Sequence, residues 1–112
     1  MNAAEHLLTC LAEECGEVSH ETCKALRFGP DDRSPLDPAG PTNRERLVQE
    51  LNEIMAIVRL LEKVGLLPPD WENLPKQEAK RRQTLKFMDY AIKAGTMDPN
   101  LVSLEKAALP RP

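Results

Sequence analysis

Apolar and polar positions along the chain alternate with a helical period, and three long segments carry the pattern. In the first, Ala4, Leu7, Leu8, Leu11, Cys15, Val18, Ala25 and Leu26 recur at spacings of three and four, predicting a helix from Asn2 to Phe28 that Gly29 and Pro30 end. The segment GPDDRSPLDPAGP (29–41), with four prolines and two glycines, cannot continue it and reads as a linker loop. Thr42 and Glu45 in TNRE make a capping box, which starts a second helix running to Val64 before Gly65. LLPPDWENLP (66–75) is the next connection, and a third helix is expected from Pro75 to Ala94, closed by Gly95. Asp98-Pro99 restarts a short fourth helix to Ala108.

The fold class predicted is all-α: a bundle of three main helices plus a short C-terminal helix, as one domain over 1–109 with a frayed tail at 110–112. Helix 2 carries more apolar surface than two neighbours in one chain can cover. The core is therefore expected to be completed by homo-oligomerisation, as a dimer or tetramer.

Within these stripes stand acids. In LVQELNEIMAIVRLL, with Glu50 at zero on a helical wheel, Ile57, Leu61, Ile54 and Leu47 lie between about −20° and +60°, and Glu53 lies at about −60°. The first helix repeats the arrangement. With Glu14 at zero, Leu7, Ala25, Val18 and Leu11 lie between about +20° and +60°, Glu21 at about −20° and Glu17 at about −60°. Glu13 falls further round, on the solvated side. Each helix thus turns an i, i+3 pair of carboxylates toward the interior, and burying them uncompensated would cost many kcal/mol.

Two kinds of cation can compensate them. Lys24 is within reach of Glu17 and Glu21, and Arg46 lies one turn before Glu50, so ion pairing is one answer. Few basic residues share these faces, however, and a metal ion is the stronger expectation. An all-oxygen ligand set suits Mg²⁺, with Mn²⁺ as substitute and two or more ions per site. Glu17 and His20 form one ExxH, but a di-iron bundle needs a second such motif, so His20 and His6 read as surface or boundary residues. Cys10, Cys15 and Cys23 contain no CxxC and read as reduced thiols, not a zinc site.

Composition narrows the partners. A net charge of −3 lacks the basic excess of a nucleic-acid binder, and no apolar run reaches membrane-spanning length. MNAAEHLLTC lacks a basic signal-peptide start, so a cytoplasmic protein is expected. The aromatics Phe28, Trp71, Phe87 and Tyr90 read as core. Asn52 flanks the second acid pair and is a candidate for reading a base edge, although it lies toward the polar side.

Glu13-Glu14-x-x-Glu17 followed by Glu50-x-x-Glu53, with KALRFG after the first motif, resembles the MazG-like all-α nucleoside triphosphate pyrophosphohydrolases over about residues 5–65. The family pattern is EExxE, a spacer, then ExxD. Glu53 departs from its usual final aspartate, and the spacer is long. The resemblance implies hydrolysis of an NTP or dNTP between the α- and β-phosphates. It also implies Glu14, Glu17, Glu50 and Glu53 as catalytic Mg²⁺ ligands, and an oligomer with composite sites. ALRFG and NRERLVQELNEI look most like phage-type members, which would work in the host cytoplasm. Some of these act on dGTP for modified-genome synthesis; nucleotide housecleaning is the broader family role. Lys24, Arg27 and Lys80 are the candidate phosphate-binding residues, Lys80 from a basic third helix with Lys76, Arg81, Arg82 and Lys86. The rival reading is a non-catalytic helical dimerisation or adaptor module whose glutamates pair with a partner's basic residues.

Overall fold

A computed structural model of the chain describes residues 1–99. It contains three helices, α1 (Ala3–Phe28), α2 (Asn43–Lys63) and α3 (Leu74–Lys93). Among the described residues there is no strand, only an isolated antiparallel bridge between Arg33 and Thr42. No helix of the described residues is long and apolar enough to cross a membrane. The short helix expected after Pro99 lies outside the described residues.

Local chemistry sets the helix ends. Thr42 caps α2 by the capping box expected of TNRE, its hydroxyl accepting from the Glu45 amide while the Glu45 carboxylate accepts from the Thr42 amide. Asn2 and Glu5 make a second capping box at α1, which the hydrophobic pattern did not announce. Asn73 caps α3, with Pro75 inside its first turn, where the missing N–H loses no helical bond.

The chain divides into two compact units, Met1–Pro69 and the segment from Asp70 onward. In the first, α2 runs back along α1. Asn43 reaches Gly29, and Glu14 meets both Glu50 and Glu53, so the contacts run in opposite order along the two helices. The 29–41 segment is more than a linker. Arg44 holds Asp31 with two hydrogen bonds of 3.0 and 3.2 Å, the Asn43 side-chain amide donates to the Gly29 carbonyl at 2.9 Å, and Arg33 donates to the Gly40 carbonyl at 3.0 Å. Backbone bonds from Asn43 to Asp32 and from Arg44 to Pro30 close the turn. Gly29 enters it at φ 93°, a left-handed angle that a side chain disfavours. At Gly40 an added Cβ would meet the Asp37 carboxylate, an exposed side chain that would have to move aside.

The interior is thin. Leu61, 1% exposed, and Leu85 are the buried apolar residues among those described. Val48, Leu51, Met55, Leu60 and Val64 of α2 and its C-cap face solvent, as does Leu8 of α1. A pair of helices encloses too little volume to bury both apolar arcs. The same limit corrects the aromatic expectation: Phe28, Phe87 and Tyr90 are exposed and Trp71 is half-buried.

Candidate metal centre

The register of α1 against α2 brings Glu14, Glu50 and Glu53 together. One carboxylate oxygen from each lies within 4.8 Å of the others, and all three residues are half-buried. Among the described residues no other group of three or more acids, histidines or cysteines is so placed. Among the described residues no basic side chain pairs with any of the three. Lys24 goes to Glu21, Arg44 to Asp31 and Arg46 to Asp37, at 3.4, 3.0 and 3.9 Å. The ion-pairing answer therefore fails for this trio within the described residues.

Electrostatics register the crowding. Burial pushes the Glu50 carboxyl from its ordinary 4.5 up to about 7, with the Glu53 and Glu14 carboxyls adding to the shift. Burial also raises Glu14, as do the negative charges of Glu53 and Glu17. Glu53 moves the other way, because the Gln49 side-chain amide donates to its Oε1 at 2.9 Å and Glu50 hydrogen-bonds to it. Two oxygens, Glu14 Oε2 and Glu50 Oε2, are buried with no hydrogen-bond partner. Orphaned acceptors of this kind are costly without a cation or a donor. An all-carboxylate set with unsatisfied oxygens fits a hard divalent ion such as Mg²⁺ or Mn²⁺.

The remaining candidates fall in different places. Glu17 is exposed and lies outside the trio, although its charge reaches Glu14. Glu21, at about −20° beside Glu17 at about −60°, is instead 6% exposed. The partner helix covers the side of the arc that holds Glu21 and leaves the Glu17 side open. Lys24, half-buried, lines an open cleft of about 620 Å³ with Phe28, Arg33 and Arg46. Arg27 lies over the Phe28 ring, 4.8 Å from its centre. Lys80 is exposed on α3 in the second unit, where Lys76, Arg82 and Lys86 flank it. Asn52 bonds back to the Val48 carbonyl at 2.9 Å on the exposed side of α2. His6 and His20 are exposed, and the three cysteines are free thiols.

Sequence reasoning left two contributors unassigned. Gln49 orients Glu53 from one turn away, a signal present in the i, i+4 spacing. Glu21 repeats the Glu14 position two turns later on α1, on the core face of the wheel, and was given no role beyond reach of Lys24.

Comparisons of the chain with protein-family models, with curated proteins and with solved structures find no match.

Proposed function

We propose that the protein is a divalent-metal-dependent pyrophosphohydrolase that cleaves a nucleoside or deoxynucleoside triphosphate to the monophosphate and pyrophosphate. The observation that carries this reading is the Glu14–Glu50–Glu53 trio, half-buried, unpaired by any cation among the described residues, with two orphaned oxygens. Half-buried carboxylates gathered in this way suit a divalent ion that would neutralise phosphate charge.

Glu14, Glu50 and Glu53 would hold the ion, with Gln49 fixing the rotamer of Glu53. When bound, Mg²⁺ supplies neutralisation of phosphate charge and acidification of the attacking water. In the overall change, the water oxygen bonds to phosphorus, the P–O bond bridging the α- and β-phosphates breaks, and a proton is released. Glu17, exposed one turn from Glu14, is the candidate to take that proton or to help hold a second ion. Lys24, Arg33 and Arg46 are the cations that line the open cleft at the loop end of the hairpin, and Lys24 is the candidate among them to receive phosphates. Arg27 remains a phosphate-binding candidate of the same reading, as does Lys80 contributed by a neighbouring subunit. The exposed apolar residues of α2 support assembly of two or more copies, which would cover that face.

The test incubates the protein with each common NTP and dNTP, dGTP included, in Mg²⁺ or Mn²⁺ and separates the products by chromatography. Monophosphate and pyrophosphate from wild type, and none from Glu50→Gln, are the expected result. No turnover by a folded wild type, with a melting temperature indifferent to Mg²⁺, would overturn the enzyme reading in favour of a helical adaptor.

A further inference from the structure

Glu21 is unusually buried for an acid. It is 6% exposed, deeper than any member of the trio, and it lies seven residues beyond Glu14 on the same face of α1. Its Oε1 meets Lys24 at 3.4 Å, a long contact, while its Oε2 is enclosed and has no hydrogen-bond partner. An ion pair with Lys24 would explain the first oxygen. It leaves the second unexplained.

Glu21 lines a cavity of about 280 Å³ together with Pro41, Glu45, Arg46, Gln49 and Glu50. Most of the other polar walls are already engaged. Glu45 is held by the α2 cap, Gln49 donates to Glu53, and Arg46 leans toward Asp37. Three carboxylates against one guanidinium make the cavity hostile to an anion, so a phosphate does not belong there. What it lacks is a hydrogen-bond donor for Glu21 Oε2. Glu50 joins this cavity to the trio, and two helical turns separate Glu14 from Glu21, about 10 Å along the axis. That length is comparable with the reach from the α-phosphate of a nucleotide to the far edge of its base.

We infer that Glu21 is the base-reading residue of the site, accepting a hydrogen bond from the exocyclic amino group of an amino-bearing nucleobase in the 280 Å³ cavity beside Glu50. The inference rests on the pyrophosphohydrolase reading and names its substrate class: adenine, cytosine or guanine nucleotides in preference to uracil or thymine. In the latter two bases the ring N–H is flanked by carbonyls, whose oxygens would face the carboxylate. A buried carboxylate left without its donor penalises the wrong base strongly, because the acceptor is then neither bonded nor hydrated.

The experiment measures kcat and KM of wild type, Glu21→Leu and Glu21→Gln for dATP, dCTP, dGTP, dTTP and dUTP, and also compares dGTP with dITP, which lacks the amino group. Wild type should favour an amino-bearing nucleotide over dUTP by roughly tenfold to a hundredfold in kcat/KM. In Glu21→Leu that ratio should fall below about threefold, chiefly through KM, while residual turnover continues. Glu21→Leu should melt close to wild type, since the apolar side chain offsets the loss of the long contact with the part-exposed Lys24. If guanine is the preferred base, dITP should be the poorer substrate of wild type by a similar factor, a readout that needs no variant.

Unchanged base preference in folded Glu21→Leu and Glu21→Gln, or a wild type that prefers dUTP or dTTP, would overturn the assignment of Glu21. The pyrophosphohydrolase reading would then stand if Glu50→Gln is inactive. No hydrolysis of any nucleotide by wild type would overturn both.

Discussion

The loop end and the middle of the α1–α2 hairpin treat charge in opposite ways. At the loop end acids find donors: Asp31 has Arg44, Asp37 has Arg46, and Glu45 has the Thr42 amide and hydroxyl. Two turns to four turns away, Glu14, Glu50 and Glu53 share a half-buried space with no cation among the described residues. The loop end is organised so that the chain can turn. The middle keeps an arrangement that the fold alone does not favour, and such sites are where function is expected.

The sharpest way to break this contrast is at Glu50. Glu50→Gln is expected to lower kcat/KM for the preferred nucleotide by about a hundredfold or more, since it removes a charged ligand from the trio. Glu17→Gln, outside the trio, should cost less. Equal losses from the two, measured under the same conditions, would mean that the exposed acid is as much a ligand as the gathered ones.

The contrast sharpens in a metal titration followed by thermal melting. Mg²⁺ at about a hundred times its dissociation constant should stabilise wild type by about 2.7 kcal/mol, because it binds only the folded chain. The gain should be largely lost in Glu53→Gln. Loss of the gain in Asp31→Asn instead would place the ion at the loop end.

At the loop end itself, Asn43→Ala removes a side chain 5% exposed whose amide bonds the Gly29 carbonyl at 2.9 Å. A loss of about 1–3 kcal/mol in urea unfolding is expected, with the metal-induced gain preserved. A variant that keeps stability but loses the metal response would join the two regions that are separated here.

A smaller effect separates the regions by pH. The raised Glu50 carboxyl favours the folded chain only while protonated, so its contribution is full below about 4.5 and is lost as pH rises through about 7. Metal-free wild type should therefore melt higher at pH 5 than at pH 8, and Glu50→Gln should flatten that slope. Asp31, Glu45 and Glu53 have depressed values, so their contributions are lost only as pH falls through the acid range, outside this window. The smallest change is expected from Asp31→Asn. Its ion pair with Arg44 is exposed, and melting should scarcely move.

Helix positions were legible in the chain because caps, glycines and prolines act within a few residues. Thr42 with Glu45 places the start of α2, and the expected bounds of all three helices lie within a residue of those observed. The facing acids were legible too, since a fixed angle per residue puts Glu14 and Glu50 near the middle of apolar arcs. Which side of each arc is covered was not. Glu17 and Glu21 differ by about 40° on the wheel, and only the register of α2 buries one and exposes the other. Leu60 and Leu61, both apolar, separate in the same way, with Leu61 enclosed and Leu60 facing solvent. Periodicity selects a face, but packing of a second helix decides which residues of that face lose contact with water. The trio without a cation and the orphaned Glu21 oxygen are products of that packing, because burial and the absence of a partner are properties of neighbours in space.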